Sequence, residues 1–236
     1  MSYTKLARFY DPVIGDRRDT VNFIAALIER HQRETRTILE IACGTGAVLG
    51  LLSESYEVTG LDRSRNMLAI ARRKLPYVKL YRQDMTRFNL NQRFDAILCI
   101  FDSINHLVRF ADWQKVFRRV KSHLNERGLF IFDVNTPSRL HRLSHSPPWT
   151  TPFGKHWEII AVTKGRGGRF DWHVRVLEHR RRNEYRLHCE TIPELAAPQD
   201  RIVARLKPVF RSVRVIDPEN SRPSRRSERL YFVCKP

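Results

Sequence analysis

The spacing of apolar residues changes character near residue 136. Before that point, short apolar runs alternate with stretches in which apolar residues recur every three or four positions. Residues 20–33 place Val21, Ile24, Ala25 and Ile28 at helical spacing, with Asp19 or Thr20 available as a cap. Runs at 37–42, 56–61, 77–81, 94–100 and 128–134 read as strands, and segments 46–54, 64–75 and 111–124 read as helices. Strands alternating with helices predict an α/β fold, a doubly wound and mostly parallel sheet with right-handed crossovers. Ligands of such sheets bind beyond the carboxyl ends of the strands, where the strand order reverses.

Beyond residue 136 the pattern differs. The stretch 136–155, rich in proline, serine and histidine, lacks periodicity and predicts a long loop. Segments 156–163, 169–178 and 184–192 alternate apolar and polar residues and predict an antiparallel meander with turns at Gly165–Gly168 and Arg181–Asn183. Phe170, Trp172, Val174 and Val176 fall on one face of its middle strand, with Asp171, His173 and Arg175 on the other. A helix near 200–208 then leads to strands at 209–216 and 229–234. The predicted organisation is a core with an N-terminal helical lid over 1–136, an inserted antiparallel β subdomain over 137–195 that covers the site or mediates dimerisation, and a helix with a closing hairpin over 196–236.

At 236 residues and 42% hydrophobic, the chain can bury a full core without a disulfide scaffold. Cys43, Cys99, Cys189 and Cys234 show no C-x-x-C spacing, and three sit in or beside apolar runs, as suits reduced thiols in a cytoplasmic protein. The opening MSYTKLARFYDP lacks the apolar stretch of a signal peptide, and no run is long enough to span a bilayer, so no membrane role is expected. The net charge is +18; residues 137–236 hold 21 Lys and Arg against 10 Asp and Glu. Arg180–Arg182 at a hairpin tip and Arg222, Arg225, Arg226 and Arg229 in a second loop read first as solvated surface. They also suit an acidic small molecule or, less favoured, nucleic acid.

The candidate chemistry begins at Glu40-Ile41-Ala42-Cys43-Gly44-Thr45-Gly46, where a buried strand meets a glycine turn and a helix start. Two glycines two apart permit positive φ and close approach of backbone N–H groups to a ligand. A dinucleotide fingerprint would place a third glycine at Leu49, but Gly50 falls one residue late. A carboxylate at a buried strand end, Glu40, suits a cationic ligand. Asp62 ends the second strand sixteen residues after Gly46, where a carboxylate can accept from both hydroxyls of a ribose. This segment resembles motif I of the class I S-adenosylmethionine-dependent methyltransferases, with Ala42 in place of a common glycine, and the landmarks that follow repeat that family's order.

The resemblance implies a seven-stranded Rossmann-like sheet whose last strand runs antiparallel. S-adenosylmethionine is then the methyl donor and S-adenosylhomocysteine the product. Glu40 would meet the donor's α-amino group, Ala42, Gly44 and Gly46 would line its loop, and Asp62, with Arg63 beside it, would hold the ribose. Met67 lies near the adenosine as a core residue, Asp84 would accept from the adenine amine, and the Met85 N–H would address the ring. Phe101 opens the segment that faces the transferable methyl. Its continuation Asp102-Ser103-Ile104-Asn105-His106-Leu107 resembles a variant found in small-molecule methyltransferases, and lacks the N/D-P-P-Y/F of base-directed ones. Phe9-Tyr10-Asp11 resembles the entry segment of the same group, in which Tyr10 would close over the donor. His106 is the candidate base, and no metal site is expected. The expected reaction is methyl transfer to nitrogen or oxygen of a small-molecule acceptor by a monomer or homodimer. An RNA methyltransferase and a non-catalytic donor-binding protein are the alternatives.

Overall fold

The computed structural model describes residues 6–236, so the first five positions of the opening segment lie outside the described residues. The first half contains α1 (Ala7–Ile14), α2 (Arg18–His31), β1 (Thr37–Ile41), α3 (Ala47–Leu52), β2 (Glu57–Asp62), α4 (Arg65–Lys74), β3 (Lys79–Arg82) and β4 (Phe94–Cys99). A 3-10 turn (Ser103–His106), α5 (Phe110–His123) and β5 (Leu124–Asn135) complete it. The second half contains α6 (Pro137–Ser144), β6 (Trp149–Phe153), β7 (His156–Lys164), β8 (Arg169–Arg181), β9 (Glu184–Leu195), α7 (Gln199–Leu206), β10 (Ser212–Ile216) and β11 (Arg229–Lys235).

Seven strands form one sheet in the order β10-β11-β5-β4-β1-β2-β3, and β6-β7-β8-β9 form a second. In the large sheet only β11 runs antiparallel to its neighbours β5 and β10. Period-two alternation explains why its strands read as continuous apolar runs. Leu39, Ile41, Ile97, Phe130, Phe132 and Phe232 face one helical layer with Trp113 and Phe117. Ile38, Ala96, Leu98, Leu129 and Ile131 face the other with Ile24, Ile28 and Leu49. Burying each large side chain contributes roughly 1.5–3 kcal/mol before chain entropy is charged against it. The order reverses between β1 and β4, and the loops after β1, β2, β3 and β4 open at one edge.

Two expectations for the second half fail. The stretch 136–155 is not a loop: Thr136 Oγ1 accepts from Arg139 N at 3.2 Å, Pro137 occupies the first helical turn, and Leu140 and Leu143 bury against Val162 and Phe170. Proline and histidine obscured this helix, although Thr-Pro is a start signal. The meander also gains a fourth, edge strand, β6, whose Pro152 is tolerated where a ladder N–H can be missing. Directly opposed residues share a face, so Glu158, Ile160 and Val162 of β7 lie with Val176, Val174 and Trp172 of β8. That face packs on Leu6 and Phe9 of the N-terminal segment. Among the described residues no helix is long and apolar enough to cross a membrane. The four cysteines are free, and Cys189 alone of them is exposed.

Candidate active site

Beyond β1 the chain turns sharply. Ala42, Gly44 and Gly46 adopt φ of 59°, 55° and 73°, in the left-handed region. For Ala42 this costs on the order of 1–2 kcal/mol that glycine would not incur. A side chain at Gly44 would meet no atom within 4 Å, so this loop borders open space, whereas one at Gly46 would strike Leu75 Cδ1 at 2.8 Å. Gly46 therefore permits close packing of α4 and does not line the cleft. The loop is tied to the end of β2: Asp62 accepts from Gly44 N at 2.9 Å and from Ser64 N at 2.7 Å. Ser64 in turn caps α4 by accepting from Met67 N.

The cleft outside these strand ends offers about 760 Å³ of space, part of it open to solvent. Of the predicted donor residues, Ala42, Gly44, Asp62, Arg63, Met67, Asp84, Met85 and Phe101 line it, together with Tyr10 and His106. Leu61, Ser64, Gln83, Ser103 and Leu107 join them. Glu40 lies beneath, 4% exposed, and its Oε2 has no hydrogen-bond partner among the described residues. Burial, and secondarily Asp62, push the Glu40 carboxyl well above its ordinary range. A buried acceptor in need of a cation fits the α-ammonium of an amino-acid-bearing donor. Asp62 is also raised, chiefly by burial. Asp84 Oδ1 accepts from Thr86 N at 2.8 Å and from its Oγ1 at 2.7 Å, an Asx turn that presents the carboxylate to the cleft.

The segment after β4 is strained and heavily tied. Phe101 and Asp102 both adopt left-handed φ, 55° and 48°. Asp102 Oδ1 accepts from Arg229 Nη2 at 2.7 Å, and Asp102 N donates to Asp133 Oδ2 at 3.2 Å. Arg229 also pairs closely with Asp133 and donates to Asn135 Oδ1 at 3.0 Å. Asn105, fully buried, donates to Asn135 O at 3.0 Å and Leu195 O at 2.9 Å, joining the ends of β5 and β9. Asn135 Nδ2 donates to Glu194 Oε2 at 3.1 Å. Burial raises Asp133 to about 6 despite Arg229; on Asp102 burial also opposes the charge, but Arg229 outweighs it and the carboxyl is lowered. Arg229 is therefore no surface loop residue, as its neighbours Arg222, Arg225 and Arg226 are; it holds two buried carboxylates.

His106 Nδ1 or Nε2 lies with carboxylate oxygens of Asp102 and Glu194, all within 4.8 Å of one another. Three such groups have metal-ligating chemistry, a convergence not anticipated from sequence, but Asp102 is already paired with Arg229 and Glu194 with Asn135. Burial holds His106 below the usual imidazole value, hence neutral near pH 7, and pushes the Tyr10 hydroxyl well above its own, so Tyr10 keeps its proton. His141 and His145 lie on and just after α6 with rings 4.3 Å apart.

Tyr10 also lines a second cavity of about 760 Å³ between α1, the β5 end and the inner face of the small sheet. Asp11 clamps α1 in place: it accepts from Thr45 Oγ1 of the glycine loop and from Lys74 Nζ at 2.7 Å. On the other side Phe9 meets Phe153 edge to face, ring centroids 6.1 Å apart. The cavity is mostly apolar, with Asp102, Asn135, Arg139, Glu158, Glu194 and Arg229 as its polar groups. Glu158 and Glu194 went unnoticed in the sequence, although a glutamate on the parity of Ile160 and Val162 is a signal: a charge on an apolar strand face.

Known proteins share this fold. A methyltransferase-domain family matches residues 38–128. The dTDP-3-amino-3,6-dideoxy-alpha-D-glucopyranose N,N-dimethyltransferase of Streptomyces fradiae is 40% identical over 111 residues, which are 47% of this chain and 44% of that protein, so the match spans under half of that relative's length. A S-adenosylmethionine-dependent methyltransferase from Clostridium acetobutylicum superposes with a TM-score of 0.85 at 24% identity, covering 100% of this chain and 99% of that one. A S-adenosylmethionine-bound amino pentose methyltransferase from Micromonospora echinaspora superposes with a TM-score of 0.80 at 19% identity, covering 100% and 98%. A methyltransferase-domain family thus matches the chain around the glycine loop, and the whole chain shares the fold of S-adenosylmethionine-dependent methyltransferases.

Proposed function

We propose that this chain methylates the nitrogen of a small-molecule amine, with the donor in the strand-end cleft and the acceptor in the second cavity. The observation that carries the reading is that Tyr10 walls both spaces, so two ligands would meet there beside Asp102, His106 and Glu194. The preference for nitrogen over oxygen rests on the acidic lining of that junction and on relatives named as N-methyltransferases of amino sugars and of glycine and sarcosine.

S-adenosylmethionine, when bound, supplies a methyl group already activated on a sulfonium. Glu40 and Asp62 hold the donor by its ammonium and ribose, Asp84 and Met85 address its base, and Phe101 and Tyr10 close over its methionine end. The acceptor nitrogen must arrive with its lone pair free. It forms the new N–C bond as the C–S bond breaks and the electron pair returns to sulfur, and the proton it sheds passes to neutral His106. Positioning and exclusion of water can supply much of the acceleration in such an in-line displacement. The strained Phe101-Asp102 turn, fixed by Arg229 and Asn105, holds His106 in register with that junction. Free and mostly buried thiols suit work in the reducing cytoplasm.

The test is transfer from methyl-labelled donor in the presence of a small-metabolite extract. A labelled basic compound stable to mild alkali supports N-methylation. An alkali-labile ester, or label in RNA, contradicts it.

A further inference from the structure

The second cavity has an end that the proposed chemistry does not use. Counted along β8, Val176, the partner of Glu158, lies six residues from Phe170, the partner of Glu194. Six residues are about 20 Å of strand. Glu194 shares the His106 junction, so Glu158 is at the remote end, where Val176 and Phe9 are its neighbours in the cavity wall.

Glu158 is 8% exposed, its carboxylate lines the cavity, and among the described residues it makes no hydrogen bond or ion pair. Its ladder partners on that face are Val176 of β8 and Thr151 of β6, neither of them charged, and burial alone lifts it to about 7. An uncompensated carboxylate on an apolar strand face is costly to the fold. The other charged groups of the cavity are spent elsewhere: Arg229 on Asp102 and Asp133, Glu194 on Asn135. Two further polar atoms in the wall, Trp172 Nε1 and Arg139 Nε, are buried donors without acceptors. The cavity thus presents one orphan acceptor at its far end and two orphan donors in its wall, Trp172 between the ends by register and Arg139 near Arg229 and Asp102, the complement of a bifunctional ligand.

Resting on the proposed function, we infer that the acceptor is an elongated amine that carries a second hydrogen-bond-donating group, an amino or hydroxyl group, at the end remote from the methylated nitrogen, and that Glu158 is the residue that selects for it. Trp172 and Arg139 would then receive an oxygen or nitrogen lone pair between the two ends. Glu158 is a specificity residue in this assignment, remote from the reacting atoms.

The test is calorimetric titration of the full chain, saturated with S-adenosylhomocysteine, with four probes long enough to reach both ends: 1-aminodecane, 10-aminodecan-1-ol, 1,10-diaminodecane and 10-aminodecanoate. The amino alcohol and the diamine are expected to bind at least ~10-fold more tightly than the monoamine, and the carboxylate more weakly than any. A preference of the diamine over the alcohol assigns an ammonium to the far end, and equality assigns a neutral donor; both support the inference. Glu158→Gln should level the panel while S-adenosylhomocysteine binds as before, which also shows that the variant is folded. Trp172→Phe, which removes only the indole donor, should leave the ranking in place. Equal binding of the monoamine, an unchanged ranking in Glu158→Gln, or no binding of any probe to donor-loaded protein overturns the inference. Failure of S-adenosylhomocysteine itself to bind would instead overturn the reading beneath it.

Discussion

The two cavities that meet at Tyr10 are built in different ways. The strand-end cleft is made mostly by local segments: its loops follow strands of one parallel sheet, and its polar groups are bonded within them, as Asp62 is to Gly44 and Ser64. The second cavity is made by distance. Its walls come from α1, the end of β5 and the inner face of β6–β9, and its polar floor joins Asp102 to Arg229 across 127 residues and Asn135 to Glu194 across 59. A fold can thus keep one cleft while a second sheet changes what faces it, because, Tyr10 apart, the residues that line the second cavity are not those that line the first.

This contrast is sharpest at Arg229, which serves the second cavity from the core sheet. Arg229→Met removes the cation between two buried carboxylates, and the expected loss of stability is on the order of 3–5 kcal/mol, read as a shift in denaturant midpoint. A change under about 1 kcal/mol would show that the network is not what joins the two halves.

Glu158 should behave in the opposite sense. Its carboxyl sits near 7 in the folded chain against an ordinary value of 4.5, so ionisation disfavours the fold, and the cost grows as pH rises through about 7. Glu158→Gln should therefore stabilise at pH 8 by up to ~3 kcal/mol, and much less at pH 5, where both forms are neutral. Thermal denaturation at the two pH values checks this; equal effects at both would contradict the unpartnered carboxylate.

On the donor side, Glu40→Gln should weaken S-adenosylhomocysteine binding by ~10–100-fold with little loss of stability, since the orphaned oxygen loses the charge that a ligand ammonium would meet. Because burial holds the empty Glu40 carboxyl well above its usual range, donor affinity should rise with pH as that group ionises. Calorimetry across pH reads both effects. The smallest change is expected at the strained loop: Ala42→Gly relieves a left-handed alanine and should add about 1 kcal/mol of stability.

What the sequence made legible follows the same division. The strands and helices of the first half were readable because periodicity and glycine turns are local signals. The cleft-lining residues were readable because the class I resemblance orders them by strand. Gly46 was assigned to the donor loop because spacing cannot distinguish a glycine that admits a ligand from one that admits α4. Helix α6 was missed because Pro137 and Pro147-Pro148 suggested a loop, although proline is at home in a first helical turn. Arg229 looked like surface in an arginine-rich loop, since only the antiparallel pairing of β11 with β5 brings it to Asp133. Glu158 could be placed on the face of Ile160, but what that face covers depends on α1, more than a hundred residues away.

The most direct test of this division is calorimetric titration of S-adenosylmethionine into the full chain and two variants. The account predicts binding on the order of micromolar, loss in Asp62→Asn, and retention in Glu158→Gln. Absence of binding at millimolar donor, or donor binding that fails with Glu158→Gln while Asp62→Asn retains it, would contradict it.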